Sequence, residues 1–339
     1  MNKDLIILGI ESSCDDTSAA VLRGSKVLSN IIANQSIHEK YGGIVPELAS
    51  RAHQQNIIPV VDTAIKQAKI KKSEIDIIAY TKGPGLLGSL LVGSSFAKSL
   101  SLGLNKPLVA VNHMKAHILA HFIDQENHIK PTFPFLCLTV SGGHTQIVIV
   151  KDYNDMEVIG TTIDDAAGEA FDKSAKVIGL KYPGGPLIDK YGKNGNINAF
   201  TFGKPKIKDL NFSFSGLKTS ILNLINSSVM KNPNFINENL DDLCASIQHS
   251  IITILLEKVT KAISQTNIKN IAIAGGVSAN SYLRQELIKL SKKDNLNIYI
   301  PKFEYCTDNA AMIAIAGKFK YINNETADYS ESANARLSF

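Results

Sequence analysis

Two histidines separated by three residues, His113 and His117, are the sharpest chemical signal in this 339-residue chain. They follow the apolar run Pro107 to Val111 and precede apolar residues at helical spacing, which predicts a helix with both imidazoles on one face. Such a pair can hold one metal ion if a third ligand comes from elsewhere. An acidic residue at a helix N-terminus would serve, and we expect Asp308 to be that ligand.

The same spacing is also typical of a solvated helix face, and the pair alone does not separate the two interpretations. His121 extends the row but lies a further turn away, so it is not expected to be a ligand. The residue after His113 is not glutamate, so the His-Glu-x-x-His arrangement of metalloproteases is absent from the sequence.

Three glycine-rich segments form a second signal: residues 141–144, 183–186 and 275–280. Glycine-rich loops leave backbone N–H groups able to bind phosphate or carboxylate. None of the three continues into the Gly-Lys-Ser or Gly-Lys-Thr of a Walker loop. Together they favour a ligand of the nucleotide type.

Acidic residues supply a third signal. Asp165, Glu169 and Asp172 are spaced four and three apart, which predicts one side of a helix and suits ribose hydroxyls. Acids at the start of a helix also complement its dipole, and that alternative applies to Asp164 and Asp165. Glu11 and Asp15, in the first polar turn, are candidate catalytic acids that position a metal, a water or an attacking group, or that merely cap the turn.

The elements that must hold these residues show a faint internal duplication. Residues 5–22 and 135–150 each read as strand, polar turn and strand, and two later segments read as strand, glycine loop and helix. We therefore predict an α/β fold of the actin-like ATPase and sugar-kinase superfold, with two duplicated lobes around a central cleft. The expected lobes are residues 1–112 with 304–339, and residues 113–303.

Further helices are predicted from Pro46 towards Lys69, with a break or kink at Pro59, around Leu240 to Ile254, and over Asp308 to Tyr321. The last of these is expected to fold back on the first lobe. The polar tail after Asn323 is expected to be loose.

The bulk composition sets wider limits. The formal net charge of +5 suits an acidic partner such as RNA. The four cysteines show no paired spacing, which indicates neither a disulfide framework nor a cysteine zinc site. The apolar run before Glu11 is too short for a signal peptide, and the apolar stretch Leu86 to Leu104 contains Lys98 and several serines and glycines. We expect a soluble cytoplasmic protein.

In order along nearly the whole chain, these segments resemble the tRNA N6-adenosine threonylcarbamoyltransferase family, once labelled sialoglycoprotein endopeptidases. Residues 182–186 and 214–218 are similar to its bacterial or organellar branch, and without a transit peptide the bacterial branch is favoured. The matching motifs are residues 9–17, 83–85, the histidine pair, 141–145, 164–173, 183–186, 275–280 and 308–310.

The resemblance implies transfer of threonylcarbamoyl from threonylcarbamoyl-AMP to the N6 amine of the adenosine next to the anticodon (position 37). The tRNAs would be those reading codons that begin with A, and AMP would be released. It implies one divalent metal per subunit, Fe2+ with Zn2+ as the alternative, on His113, His117 and Asp308. The implied substrate contacts are Thr139, Val140, Ser141, Gly142, Gly143, Asp172, Gly185, Asp189 and Asn280.

The implied partners are tRNA, a degenerate sister subunit of the same fold and a small P-loop ATPase, with no membrane. Three other functions stay open from the sequence. A phosphotransferase or ATPase of the same superfold would share the loops without needing the histidine pair. A non-catalytic scaffold would be expected to lose ligands and loops, and a protease would need the base that is missing.

Overall fold

The structure, a computed structural model, describes residues 4–35, 38, 41–126, 129–205 and 207–339. Its strands are β1 Ile6–Glu11, β2 Thr17–Arg23, β3 Lys26–Ala33, β4 Ile77–Gly83, β5 Leu108–Asn112, β6 Phe135–Val140, β7 Thr145–Val150, β8 Met156–Thr161, β9 Asn270–Ala274 and β10 Asn297–Tyr299. Its helices are α1 Pro46–Gln67, α2 Leu87–Leu104, α3 His113–Leu119, α4 Ala167–Val177, α5 Gly184–Gly192, α6 Ser215–Val229, α7 Phe235–Glu238, α8 Leu240–Thr266, α9 Ser281–Asp294 and α10 Ala310–Ile322.

The chain divides into two compact units, Met1–Lys130 with Pro301–Phe339, and Pro131–Ile300. The sequence-based limits, 1–112 with 304–339 and 113–303, assign α3 to the other lobe. In the structure α3 packs against β5 and α10, and this contact groups the histidine pair with the first unit.

Each unit is built on a five-stranded mixed sheet, and the two sheets have the same topology. The order is β3-β2-β1-β4-β5 in the first unit and β8-β7-β6-β9-β10 in the second. In both, the first three strands form an antiparallel meander, and the last two run parallel to the first strand. The predicted duplication is therefore confirmed at the level of strand order and direction.

Nearly continuous apolar runs explain the central strands. All six residues of β1 and all six of β6 are buried, as expected for strands covered on both faces. The predicted long helix is α8, whose Leu243, Ile247 and Ile251 are buried in the core of the second unit. The helix predicted from Pro46 is α1, which continues through Pro59.

Within the described part of the chain, α2 is the one helix long and apolar enough to cross a membrane, with a mean hydropathy of 1.2. It packs against α1 and β4, and it buries Leu90 and Ala97. Lys98, near its middle, donates to the carbonyl of Glu331. One face of α2 thus packs on the first unit, while Leu87, Leu91 and Leu102 are exposed.

The segment after Asn323 docks on the first unit, so the prediction of a loose tail was wrong. Ala327 N–H donates to the Leu108 carbonyl at 2.7 Å, and Asn334 N–H donates to the Lys82 carbonyl at 2.8 Å. The Lys82 ammonium also pairs with Glu331 at 2.7 Å. A polar sequence still becomes ordered when a neighbouring strand end offers it backbone hydrogen bonds.

Candidate functional site

The carboxyl ends of three neighbouring parallel strands gather polar side chains at one edge of the first sheet. Glu11 ends β1, Thr81 lies near the end of β4, and His113 directly follows β5. Ligand sites of open α/β sheets form at this edge, because the side chains that leave the strands there converge.

Helix α3 fixes the two histidines. Asn112 is its N-cap, and the side-chain oxygen of Asn112 accepts from the N–H groups of Met114 and Lys115 at 2.9 and 3.2 Å. The rings of His113 and His117 then lie on one helix face, with their centroids 4.7 Å apart. Both residues are buried, so the expected alternative of a solvated helix face does not describe this pair.

Asp308 reaches the same place from the late helix. It precedes Asn309, the N-cap of α10, whose side-chain oxygen accepts from Met312 N–H at 3.0 Å. Helix α10 packs against β1 and β4, as predicted for a segment that folds back on the first lobe. The cap and this packing place the Asp308 carboxylate against α3.

The donor atoms of His113, His117 and Asp308 lie within 4.8 Å of one another. The Nε2 atom of His117 is 3.1 Å from Asp308 Oδ1, and that of His113 is 3.5 Å from the same oxygen. Tetrahedral coordination with metal–nitrogen bonds of about 2.0–2.1 Å puts ligand atoms about 3.4 Å apart. Two imidazoles and a carboxylate at these separations fit one divalent cation.

The charges of the site also suit a cation. Burial lowers the pKa of His113, but the carboxylates of Glu11 and Asp308 outweigh burial and hold it well above its ordinary value. Burial raises the pKa of Asp308, yet the imidazoles of His113 and His117 outweigh burial and hold it far below its usual range. The Asp308 carboxylate is therefore ionised at neutral pH.

Glu11 is 1% exposed and is enclosed by hydrogen-bond donors. Its Oε2 accepts from the Thr81 hydroxyl at 2.6 Å and lies 3.0 Å from His113 Nδ1, while its Oε1 accepts from Ser13 N–H. Burial raises the pKa of Glu11, but His113 and the Thr81 hydroxyl together lower it below its ordinary value. Glu11 thus contacts a candidate metal ligand directly.

The rest of the first turn is held from α1. His53 is fully buried, its Nδ1 lies 2.7 Å from the Thr17 hydroxyl, and its Nε2 donates to the Cys14 carbonyl at 3.0 Å. Asp15 and Asp16 are partly exposed. Burial and the neighbouring acids, Asp15 first among them, raise the pKa of Asp16 to about 7.

In the second unit, the turn between β6 and β7 is open to solvent. Ser141 N–H donates to the His144 carbonyl at 2.9 Å, and His144 N–H donates to the Ser141 hydroxyl at 3.1 Å. Gly142 and Gly143 are exposed, and a Cβ built on either would have no neighbour within 4 Å. Thr139 and Val140, which end β6, are buried.

Two contacts join this turn to other loops of the same unit. Gly168, in the first turn of α4, donates its N–H to the Ser141 carbonyl at 3.1 Å. Gly275 has φ +88, and a Cβ there would lie 2.4 Å from the Val140 carbonyl oxygen, so only glycine allows this approach.

Two further contacts continue the chain of loops. Asp172 of α4 accepts from the N–H groups of Gly184 and Gly185 at 2.7 and 3.2 Å. Asp189 of α5 accepts from the Ser281 hydroxyl at 2.7 Å, at the start of α9. The turn after β6 and the N-termini of α4, α5 and α9 are therefore linked by direct contacts, and this brings the sequence-predicted residues of the second unit together.

Two expectations about these loops change. The N–H groups of Gly184 and Gly185 are not free, because Asp172 accepts both. Asp165 lies before α4 and pairs with Lys173 at 2.7 Å, so it does not share a helix face with Asp172. Burial raises the pKa of Asp172, against the effect of its two backbone hydrogen bonds.

Asn280 is the N-cap of α9 and is almost fully buried. Its side-chain oxygen accepts from Leu283 N–H at 2.9 Å, and its Nδ2 donates to Gln248 Oε1 at 2.7 Å. Sequence reasoning missed Gln248, and it also missed Thr81 and His53 in the first unit. Thr81 carried a signal, a polar residue at the end of a buried strand, whereas His53 lies within an ordinary helical pattern.

The comparison with known proteins decides what this site belongs to. The family model described as tRNA N6-adenosine threonylcarbamoyltransferase matches residues 26–315. A relative of that name from Riemerella anatipestifer is 64% identical over 334 residues, which cover 98% of each chain. One from Christiangramia forsetii is 61% identical over 333 residues and again 98% of each chain. The chain belongs to the tRNA N6-adenosine threonylcarbamoyltransferase family.

Solved structures of low identity share the fold. A full-length HypF structure aligns with a TM-score of 0.60 and 14% identity over 94% of this chain and 47% of that chain. The Acidaminococcus fermentans (R)-2-hydroxyglutaryl-CoA dehydratase component A aligns with a TM-score of 0.52 and 15% identity over 94% and 100%. The fold is the predicted actin-like ATPase and sugar-kinase fold.

Membership of this family confirms an enzyme, a transferase that modifies tRNA, over the kinase, scaffold and protease alternatives. The histidine pair that a kinase would not need is buried here beside a carboxylate. The glycine loops that a scaffold would lose are also kept in the sequence.

Proposed function

We propose that this transferase moves the threonylcarbamoyl group from threonylcarbamoyl-AMP to the N6 amine of the adenosine next to the anticodon (position 37). The acceptors are tRNAs that read codons beginning with A, and AMP is released. The observation that carries the proposal is the 64% identity, over 98% of both chains, with a tRNA N6-adenosine threonylcarbamoyltransferase.

The donor is proposed to bind to the linked loops of the second unit. Its contacts are Thr139, Val140, Ser141, Gly142, Gly143, Asp172, Gly185, Asp189 and Asn280. The exposed Gly142 and Gly143 offer backbone to a ligand, because no side chain among the described residues covers them. Asp172, Asp189 and Asn280 support these loops through their hydrogen bonds to backbone N–H groups.

A divalent metal is proposed at His113, His117 and Asp308, Fe2+ with Zn2+ as the alternative. Two imidazoles and one carboxylate suit either ion. When bound, such an ion supplies electrostatic stabilisation for negative charge that develops on a phosphate leaving group. The buried imidazoles hold their positions through α3 and its Asn112 cap, so the donor set is pre-organised.

In the proposed reaction, the N6 amine attacks the carbamoyl carbon, the bond from that carbon to the phosphate oxygen breaks, and AMP leaves with the electron pair. The amine nitrogen loses one proton. An aromatic amine is a weak nucleophile, so most of the rate must come from holding it against the activated donor. Asp15 is partly exposed and is the proposed acceptor of that proton, whereas Glu11 is enclosed.

Partners and location are part of the same proposal. The enzyme is proposed to act in the cytoplasm, away from membranes, with a degenerate sister subunit of the same fold and a small P-loop ATPase. The net charge of +5 supports an encounter with tRNA.

The test is transfer of labelled threonine from threonylcarbamoyl-AMP to an unmodified tRNA, with the partner subunits present. Matched tRNAs carry either adenosine or guanosine at position 37, and His113→Ala is compared with the wild type. The proposal expects transfer only to the adenosine tRNA, and a fall of at least about 100-fold in the variant. Equal labelling of both tRNAs refutes the acceptor site, undiminished transfer by His113→Ala refutes the metal assignment, and no transfer with any partner combination refutes the reaction.

A further inference from the structure

The Glu11 carboxylate lies where it can act on a metal ligand but not on a substrate. It is 1% exposed, and its two oxygens are occupied by three donors from the first turn, β4 and α3. A general base must come within hydrogen-bond distance of the proton that it removes. Glu11 is enclosed on the protein side of His113 and does not meet that condition.

The contact between Glu11 and His113 has a direction. The Glu11 oxygens accept from Ser13 N–H and the Thr81 hydroxyl, so the carboxylate is also the acceptor of this 3.0 Å contact and the proton is on His113 Nδ1. The other ring nitrogen, Nε2, lies 3.5 Å from Asp308 Oδ1. When a metal displaces the proton on Nε2, the proton on Nδ1 stays in the hydrogen bond to Glu11 and the Nε2 lone pair binds the metal.

The Ser13 hydroxyl lies 3.2 Å from the same Nδ1 atom, so Glu11 and Ser13 both face this side of the ring. The other histidine differs, because its Nδ1 is buried without a hydrogen-bond partner among the described residues. Among the described residues, His113 is therefore the one candidate ligand with an anionic acceptor behind it, and the orientation of its ring depends on that acceptor.

We propose that Glu11 is a positioning residue of the metal centre, whose carboxylate accepts the Nδ1 proton of His113 and so directs the Nε2 lone pair of His113 to the metal. Carboxylates placed behind a metal-bound histidine fix its tautomer and increase its basicity, and their loss costs about 10–100-fold in metal affinity. The inference rests on the proposed function, because it requires a metal at the triad.

The first measurement uses the wild type loaded with Zn2+ alone and labelled with 15N-histidine. Long-range 1H–15N correlation spectra identify which nitrogen of His113 carries the proton. We expect a protonated Nδ1 and a Zn2+-bound Nε2. A protonated Nε2 overturns the proposal, and this result needs no substitution that might disturb folding.

The second measurement is the Zn2+ affinity of Glu11→Gln, obtained by competition with a chromophoric chelator and checked by circular dichroism. Affinity should fall about 10–100-fold. Asp16→Asn is the matched control when all proteins are compared at pH 8, above the Asp16 pKa of about 7, because it then removes a negative charge from the same turn at a residue that is not a partner of His113. Its affinity should stay within about threefold of the wild type, since screened charges at this range contribute little.

The outcomes separate the two proposals. A wild type that binds no Zn2+ refutes the metal centre in the proposed function and this inference with it. A wild type that binds Zn2+ while Glu11→Gln binds it equally tightly overturns this inference alone. Equal losses in Glu11→Gln and Asp16→Asn also overturn it, because they indicate bulk charge and no specific role for the His113 contact.

Discussion

The turn after β1 and the turn after β6 occupy equivalent positions in two sheets of the same topology, yet they face different surroundings. In the first unit, Ser12 and Ser13 are 1% and 2% exposed, and Glu11 beside them binds inward to His113. In the second unit, Gly142 and Gly143 are exposed and have no neighbour within 4 Å of an added Cβ.

Two sheets with the same strand order can therefore carry turns with different roles. The role of each turn depends on the side chains at its tip. Carboxylate and hydroxyl groups fill the space inside the first turn and fix a candidate metal ligand. Glycines leave the second turn without side chains, so its backbone remains accessible to a ligand. Substitutions in the two units should therefore affect different measurable properties.

Asp308→Ala should give the largest effect, since it removes one of three candidate ligands. We expect Zn2+ affinity to fall by at least about 100-fold. Asp172→Ala is the matched control from the second unit, and it should leave Zn2+ affinity unchanged. Chelator competition on both variants checks this. Weaker Zn2+ binding by Asp172→Ala would contradict the assignment of the metal to the first unit alone. Unchanged Zn2+ binding by Asp308→Ala would contradict it as well.

Gly85→Ala and Gly143→Ala compare the space around the two turns, because Gly85 follows β4 and faces Ser13 of the first turn, whereas Gly143 lies in the second. A Cβ on Gly85 would lie 2.3 Å from the Ser13 carbonyl oxygen, so we expect the free energy of unfolding to fall by about 2–3 kcal/mol. Gly143→Ala should change it by less than about 0.5 kcal/mol, while the KM for the donor rises. Denaturant unfolding of the two variants measures these free energies of unfolding. Equal destabilisation by both substitutions would contradict the contrast between a closed and an open turn.

Asn280→Ala tests whether the second group of loops depends on a buried cap. The variant loses the acceptor for Leu283 N–H and leaves Gln248 Oε1 without its donor. We expect a loss of about 1–2 kcal/mol in the free energy of unfolding. Asn280→Ser keeps a capping oxygen and should recover part of that loss. If Asn280→Ser is no more stable than Asn280→Ala, the loss does not come from the N-cap of α9.

The smallest expected effect is a pH dependence from the first turn. The pKa of Asp16 is raised to about 7 in the folded protein from an ordinary value of 3.8, so the folded state binds this proton more tightly than the unfolded state. Stability from this group is present below its unfolded pKa and is lost as pH rises towards 7. Asp16→Asn should therefore gain stability relative to wild type between pH 4 and pH 8. We expect about 1 kcal/mol for this partly exposed group.

That comparison uses metal-free protein, because a bound cation would offset the repulsion from neighbouring acids. Urea unfolding at pH 4, 6 and 8 gives the difference between the two proteins. A difference that stays constant with pH would show that the pKa of Asp16 is not raised.

The amino-acid sequence predicted several of these features. Local spacing predicted that His113 and His117 share a helix face, and repeated strand–turn–strand segments predicted the duplicated fold. The prediction that Asp165 shares a helix face with Asp172 was wrong. Asp165 lies before the first residue of α4 and pairs with Lys173 inside that helix. Tail docking was missed, since its partners, such as Leu108, are far away in sequence.

By itself, the sequence determined the family, the duplicated strand–turn–strand pattern and the candidate donor types, because these follow from local periodicity and ordered motifs. Only the tertiary structure decided which acid faces which group. Glu11 contacts His113, 102 residues away, and Asp172 contacts Gly184 at the start of another helix. Spacing along a chain carries no information about such pairs, since the convergence of parallel strand ends and the packing of helices bring them together.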